Sequence, residues 1–466
     1  MSCKLAEADL LPPRARQKAS VPIRPFSVLP NEVLLVIFRN GPSPTERRAG
    51  LPFEMSVASV SRRFRQLAIA EAGLWTVIDF LPWKYTKLLD LYLERSRAQR
   101  LSIHFDCAVD FDNRRPSDYP HTDPQFPTLR DHPQAMDRIP KNIDILLRHT
   151  ERWWHLVIVT ATVGPLDLIY SHVNAQFFPI LERLCIHMST PIPWFTPSVF
   201  ANSTAPLTSL MLNGVWPFSH GLPLASLTEI TLYNNRLPFL PQYDDFCDML
   251  ASAPMLVQLA LYGNAFHPRV WNARRDPIIL AYLECLDVRP DARPMWPGED
   301  YLSELFMVLE APALSCLILV TPDASQVQRD RFSEYLKNPV RHPMFPSLRC
   351  LHLFGVAGFF DIGVEWINAF PSVNCIHLVG PNETTRIPKI LLDGGPDLWP
   401  DLRKVVLPFG AENWALIVAL LRTRKKIVEL QCPRELTLEE PAERLRACGV
   451  QLVVRGDGVH ATLDDE

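Results

Sequence analysis

The side chains best suited to chemistry are cysteines and histidines that recur in similar segments of the second half of the chain. The cysteines with equivalent places in these segments are Cys285, Cys316, Cys350 and Cys375. In the last two segments a histidine follows two positions later, at His352 and His377. If the segments are adjacent β-strands, about 4.8 Å apart, the two Cys-x-His pairs form a small rectangle of zinc-binding groups. A flat sheet seldom directs ligands to tetrahedral corners, so we expect half-buried thiols and hydrogen-bonding imidazoles, with no metal and no cofactor.

Sequence signatures of catalysis are absent. The chain contains no G-x-S-x-G elbow, no glycine-rich phosphate loop and no H-E-x-x-H motif. Asp106, Asp110 and Asp112 lack the glycine and the terminal glutamate of an EF-hand loop. We therefore predict that the protein is not an enzyme. An active site without a recognisable motif is the alternative.

The composition limits the classes of partner. Lys plus Arg (47) nearly balance Asp plus Glu (51), which removes the electrostatic reason to expect nucleic acid or an anionic membrane as partner. The longest apolar run has about eight residues, Trp414–Leu421, against the roughly 20 that a membrane span needs. The N-terminus lacks the apolar core of a secretory signal, and the ten cysteines form no C-x-x-C pair. We expect a soluble protein of the cytoplasm, the nucleus or both, with reduced thiols.

The elements that position these residues are indicated by a repeat. From residue 181 onward, the hexamer apolar-x-x-apolar-x-apolar recurs at a mean interval near 27 residues. Its ten copies are 181–186, 207–212, 227–232, 256–261, 283–288, 314–319, 348–353, 373–378, 402–407 and 427–432. Weaker copies occur at 100–105, 153–158 and 449–454. The period of two predicts strands with positions 4 and 6 on one face and positions 3 and 5 on the other.

Helical patterns separate several of the hexamers. They lie at 244–253, 301–311, 364–370 and 411–424. Strand plus helix at this interval resembles a leucine-rich-repeat solenoid, an α/β fold with parallel strands on the concave face and helices on the convex face. The asparagine that usually follows the hexamer in that family is mostly missing here. An ordinary α/β sheet with coincidental hexamers is the alternative.

Four residues just past the hexamers are our predicted contacts to a protein substrate. They are Tyr233, Tyr262, Arg289 and Phe354. Tyrosine and arginine are favoured where binding energy concentrates. The alternative is that these side chains only cover their neighbours.

The segment 26–75 predicts a small helical module with two apolar stripes. Pro30 suits the first position of the first helix. The first stripe contains Val33, Leu34, Ile37 and Phe38, and the second contains Val57, Val60, Phe64, Leu67 and Ala68. About 40 residues barely suffice for a separate core, so we expect this module to complete its core on a partner.

The residues of this module resemble an F-box. The sequence L-P-x-E-V-L-x-x-I-F at 29–38 and V-S-R-x-F-x-x-L-A at 60–68, followed by Trp75, carry the resemblance. The stretches 74–80 and 93–103 are similar to those of the large F-box families of mushroom-forming fungi, and the insert 40–54 departs from the pattern. The resemblance implies binding of a Skp-type adaptor, which links to a cullin and a RING subunit. The family's adaptor-contacting positions fall on Leu29, Pro30, Val33, Leu34, Ile37, Val60, Phe64 and Leu67. The alternative is that some of these residues only fill the interior of the module.

The predicted organisation is therefore a disordered tail over 1–25, an F-box-like module over 26–80 and a leucine-rich-repeat-like solenoid over 81–466. A long loop is predicted near 106–140. The expected function is substrate recognition in a Skp–cullin–F-box type ubiquitin ligase, with an unidentified protein substrate. The alternative is a leucine-rich-repeat scaffold that binds proteins without a link to ubiquitination.

Overall fold

The computed structural model divides the chain into two compact units, Met1–Trp75 and Thr76–Glu466, which we call the helical module and the sheet unit. It describes residues 29–41, 52–80, 86–107, 133–189, 205–215, 222–233, 242–267, 277–290, 301–320, 345–354, 364–379, 381–407, 414–433 and 451–455. The predicted tail over 1–25 lies outside the described residues, as does most of the insert 40–54. Among the helices of the described residues, none has the length and apolar character that a membrane span requires.

The described part of the helical module contains three short α-helices followed by one 3-10 turn. They are α1 Asn31–Arg39, α2 Phe53–Val60, α3 Arg62–Ala70 and the turn Ala72–Trp75. Ser61 ends α2 and caps α3, because its side chain accepts a hydrogen bond from the Phe64 amide. Pro30 is the residue before α1 rather than its first residue, a one-residue difference from the prediction.

The core of the module is small. Its buried side chains are Leu34, Phe38, Val57 and Ala68, with Phe38 and Phe64 meeting edge to face at 5.3 Å between ring centroids. Trp75 is also buried, and its indole N–H donates to the Ala68 carbonyl oxygen at 2.7 Å. This cluster joins one face of each helix, and a segment of this length has room for little more interior.

The sheet unit alternates strands with helices. Its strands are β1 Val77–Phe80, β2 Leu101–Cys107, β3 Trp153–Thr160, β4 Arg183–Met188, β5 Ser209–Asn213, β6 Glu229–Tyr233, β7 Gln258–Tyr262, β8 Ile278–Ile279, β9 Cys285–Arg289, β10 Leu309–Glu310, β11 Cys316–Val320, β12 Cys350–Phe354, β13 Cys375–Val379, β14 Lys404–Val406, β15 Glu429–Pro433 and β16 Gln451–Arg455. Its helices are α4 Thr86–Arg95, α5 Pro133–Leu147, α6 Val163–Val173, α7 Tyr243–Ala251, α8 Tyr301–Val308, α9 Val364–Ala369, α10 Pro381–Asp393 and α11 Trp414–Thr423.

Fourteen of these strands form one parallel sheet whose spatial order follows the sequence order, while β8 and β10 pair separately. All ten hexamers and the three weaker copies coincide with strands of this sheet, which confirms the predicted strands. In each of the ten, the strand begins at hexamer position 3. The predicted helices also form, as α7, α8, α9 and α11.

A repeated hydrogen-bond arrangement at hexamer position 2 sets the register. The Glu182 carbonyl oxygen accepts from the amides of Thr208 and Ser209, at 2.8 and 3.1 Å. Eight further position-2 carbonyls accept in the same way from the next repeat; they belong to Thr208, Thr228, Val257, Glu284, Ser315, Arg349, Asn374 and Arg403. Each repeat therefore enters the sheet at the same place, so equivalent hexamer positions lie side by side across the strands.

The two faces of the sheet differ as the period of two predicts. Side chains at positions 4 and 6, such as Leu286 and Val288, are fully buried. Most of those at positions 3 and 5 are half-buried. We call the face formed by positions 3 and 5, together with the strand-end residues two further on, the open face.

Two boundaries differ from the sequence predictions. Residues 77–80 are strand β1, paired with β2, so the helical module ends at Trp75 rather than at residue 80. The predicted loop near 106–140 is wrong over its last part, where α5 begins at Pro133; residues 108–132 lie outside the described residues. This helix contains Pro140 and forms nevertheless, because Ile139, Ile143 and Leu146 bury one complete face of it.

Candidate functional site

Helix α1 of the module carries apolar side chains on two sides. Leu34 and Phe38, four residues apart, are buried in the module's core. Val33, Val36 and Ile37 are 43%, 55% and 44% exposed and, at spacings of three and four residues, form a stripe on another side of the helix. We call these three residues the exposed stripe. Apolar side chains on a short helix are thus divided between a core and a solvent-facing surface.

The eight residues that the F-box resemblance assigned to adaptor contact fall into three groups. Exposed residues are Pro30, Val33, Ile37 and Val60, and partly buried residues are Leu29, Phe64 and Leu67. Leu34 is the exception, because only 1% of it is exposed and it packs inside the module. The structure therefore corrects its place from the surface to the core. Val36 and Ile69, which the sequence analysis did not select, are exposed as well.

A second candidate site lies on the open face, at the ends of β6, β7 and β9. Tyr233 and Tyr262 are paired in register, and their rings stack with centroids 4.4 Å apart. Arg289 is the register partner of Tyr262 on the other side, with its guanidinium carbon 4.6 Å from the centroid of that ring. The structure thus brings together three of the four residues predicted to contact a substrate.

Asp287, which the sequence analysis did not select, holds this group together. Its carboxylate accepts a hydrogen bond from the Tyr262 hydroxyl at 3.1 Å and two from Arg289, at 3.1 and 3.2 Å. Burial raises the pKa of this carboxyl above its ordinary value, and the hydrogen bonds and charge of Arg289 oppose that rise. The sequence feature that could have identified Asp287 is its place at position 5 of its hexamer, two residues before Arg289. We call Tyr233, Tyr262, Asp287 and Arg289 the aromatic–arginine cluster.

The cluster borders a shallow depression of about 200 Å³. Most of its other lining residues come from positions 3 and 5 of neighbouring strands and include Met211, Thr231, Gln258, Ala260 and Cys285. Phe354 is not part of it: β11 separates the strand of Arg289 from that of Phe354, whose register partner is Val320. A depression lined by Tyr233 and Tyr262, with Arg289 packed against the Tyr262 ring, is suited to holding a side chain of a bound protein.

The cysteines predicted to align do so, on four adjacent strands. Cys285, Cys316, Cys350 and Cys375 are successive register partners, and hydrogen bonding between neighbouring thiols shifts their pKa values. The hydrogen bond from Cys350 lowers the pKa of the Cys375 thiol, against the effect of burial and with help from the charge of Lys404. At the other end of the row, donation to Cys316 and burial raise the pKa of Cys285.

The two histidines that follow these cysteines are also adjacent. His352 and His377 are register partners, and their rings stack with centroids 3.8 Å apart. The Nε2 atom of His352 lies 3.2 Å from the Cys350 sulfur. The rectangle inferred from the sequence is therefore formed by real neighbours on the open face.

Near the beginning of the sheet unit, another polar group has the connectivity of a hydrolytic triad. Asp79 contacts His104 Nδ1 at 3.1 Å, and His104 Nε2 lies 2.8 Å from the Ser102 hydroxyl. That hydroxyl is also 2.9 Å from His155 Nδ1, and Ser102 is buried. A hydroxyl enclosed between two imidazoles is poorly placed to attack a substrate carbonyl. Burial lowers the pKa of His155 to about 4, with smaller contributions from His104 and Arg183.

Comparison with known proteins gives no family. No protein-family model matches the chain, and a search of curated proteins finds no match. Among solved structures, the chain is similar to one in a crystal structure of a TLR13–ssRNA13 complex, with 14% sequence identity and a TM-score of 0.35. That similarity covers 64% of this chain and 43% of the TLR13 chain, so this chain spans less than half of the length of the TLR13 chain.

Proposed function

We propose that the protein is a substrate-recognition adaptor of a Skp–cullin–F-box type ubiquitin ligase. The observation that carries the proposal is the exposed stripe of Val33, Val36 and Ile37 on α1. It lies within the segment whose sequence resembles the opening of an F-box. An apolar helix face with anchors at spacings of three and four residues is the form that docks into a hydrophobic groove of a partner.

The energetics favour a partner for this surface. Full burial of a valine or isoleucine side chain stabilises a complex by about 1.5–3 kcal/mol. Three such side chains, each roughly half exposed, offer several kcal/mol if a Skp-type adaptor covers them. A leucine-rich-repeat solenoid of parallel strands and outer helices is the finer description that we propose for the sheet unit, and substrate binding is its role.

Within this proposal, the aromatic–arginine cluster is the contact for the substrate protein. Its three hydrogen bonds fix the guanidinium and the Tyr262 ring before binding, so little side-chain entropy remains to be lost. Tyrosine and arginine are residue types that dominate protein interfaces, and both tyrosines of the cluster line the depression. The charge of Asp287 balances that of Arg289, which favours a polar or aromatic anchor over a strongly charged one.

The proposal is tested by co-purification of the tagged full-length chain with a purified Skp-type adaptor. The variant Val36→Asp/Ile37→Asp is expected to lose the adaptor, since two charges would enter the apolar contact. The matched control is Val428→Asp/Ile279→Asp, because Val428 is 55% exposed, like Val36, and Ile279 is an exposed isoleucine of the sheet unit. Retention of the adaptor by the α1 variant, or no binding by the unaltered chain, would contradict the proposal.

A further inference from the structure

The open face of β11, β12 and β13 gathers thiols and imidazoles at close quarters. The sulfur atoms of Cys350 and Cys375 and a ring nitrogen of His377 all lie within 4.8 Å of one another. A second set with the same property consists of Cys316, Cys350 and His352. The two sets share Cys350, and all five residues are half-buried. Solvent ions therefore have access to the group.

These separations suit a soft metal ion. In a tetrahedral zinc site, bond lengths of about 2.3 Å to sulfur and 2.0–2.1 Å to nitrogen place the ligand atoms roughly 3.3–3.8 Å apart. Since the ligand atoms lie within 4.8 Å of one another, their separations need to shorten by at most about an ångström. Thiolate and imidazole are the ligands that zinc takes most readily in proteins. The backbone already holds the ligands in register, so binding requires no rearrangement of the strands.

A comparison within the same sheet shows what distinguishes this group. Strand β4 also carries a Cys-x-His triplet on the open face, Cys185 and His187. The register partners of Cys185 are Val157 and Met211, and one partner of His187 is Asn213. That triplet therefore has no second thiol or imidazole beside it in register. Within the described strands, three ligands converge where a Cys-x-His triplet has a second cysteine beside its own in register.

In place of the metal-free group expected from the sequence, we infer that the open face binds one zinc ion through Cys350, Cys375 and His377. His352, within hydrogen-bonding distance of the Cys350 sulfur, orients that ligand. A flat strand pair supplies ligands from one side only, so the ion keeps a coordination position directed away from the sheet. Such an ion on a binding face offers an anchor for a donor group of a bound protein. Zinc binding at this place does not depend on the proposed ligase function.

The test uses the full-length chain, reduced with a phosphine, stripped with a chelator and titrated with Co²⁺ as a spectroscopic probe. We expect a tetrahedral spectrum with a charge-transfer band of two thiolates, displaced by stoichiometric Zn²⁺. Cys375→Ser should halve the band, and Cys350→Ser/Cys375→Ser should abolish it and weaken zinc binding by more than about 100-fold. The control Cys185→Ser/His187→Gln should leave the charge-transfer band and the zinc affinity unchanged.

A second measurement avoids the variants altogether. In the unaltered chain, zinc should protect Cys350 and Cys375 from alkylation, as quantified by mass spectrometry, while Cys185 reacts at an unchanged rate. Absence of a thiolate band, retention of it by the double serine variant, or equal protection of Cys185 would each overturn the inference.

Discussion

The helical module and the sheet unit differ in how completely their helices and strands bury apolar side chains. In the sheet unit, positions 4 and 6 of successive strands are buried, and consecutive repeats cover one another's edges. In the module, Leu34 and Phe38 are buried, but the exposed stripe and Val60 on α2 face solvent. Repetition lets the sheet bury the apolar residues of its strands, although single apolar residues elsewhere in the unit, such as Ile279 and Val428, remain exposed. Three short helices have too little interior to enclose theirs, and the surplus becomes a surface for a partner.

The largest difference in stability between the two units is expected when a valine is replaced by aspartate in each of them. Val288→Asp places an unpaired carboxylate in the core of the sheet unit, and we expect a loss of more than about 4 kcal/mol in its unfolding free energy. Val36→Asp, on the exposed stripe, should cost less than about 1 kcal/mol. Urea denaturation followed by circular dichroism measures both. Similar losses for the two variants would remove the distinction between the units.

A smaller effect is expected for polar pairs. Asp287→Ala leaves the Tyr262 hydroxyl and the Arg289 guanidinium without a shared acceptor in a largely buried place, so we expect a loss of about 1–3 kcal/mol. In the module, Arg39 and Glu71 form a 2.7 Å ion pair in which Arg39 is well exposed. Glu71→Ala should therefore cost measurably less. If Glu71→Ala loses more unfolding free energy than Asp287→Ala in the same denaturation assay, burial does not determine how much these polar pairs contribute to stability.

The stability of the two units should also differ in its dependence on pH. The folded sheet unit holds the pKa of His155 at about 4, below the ordinary value of 6.5, so the unfolded chain binds more protons between these values. Stability of the sheet unit should fall as pH drops through this window, and burial lowers the pKa of His187 in the same direction.

The helical module offers an internal control for this pH effect, because residues 26–75 contain no histidine. Its unfolding should depend less on pH between 6.5 and 4 than that of the sheet unit. The variant His155→Gln should flatten the dependence of the sheet unit, as followed by thermal melts. An unchanged slope in that variant would show that His155 is not the responsible group.

The strands were predictable because the six residues of each hexamer show both the period of two and which side chains are apolar enough to be buried. Strand β1 was missed, since its four residues, Val77–Phe80, are too few to show a period and follow directly after the helical module. The helix at Pro133–Leu147 was missed because its prolines indicated a loop. Its first proline occupies the start of the helix, where no amide donor is required, and burial of isoleucines compensates for the second.

The sequence predicted which site residues lie side by side across the strands, but not which side chains form hydrogen bonds with each other. Register alone placed Tyr233 beside Tyr262 and Cys350 beside Cys375. The role of Asp287 depends on side-chain geometry that no spacing contains. On α1, the apolar band over 33–38 is visible in the sequence, but the edge that faces the core is not. That decision comes from packing against α2 and α3.

The claim that α1 is a docking surface is tested most directly by hydrogen exchange of the full-length chain with and without a purified Skp-type adaptor. We predict that the amides of Asn31–Arg39 gain protection when the adaptor is present, while those of the sheet strands Cys285–Arg289 and Cys350–Phe354 do not change. Protection confined to the sheet strands, or no change in α1 at adaptor concentrations that saturate binding, would contradict the account.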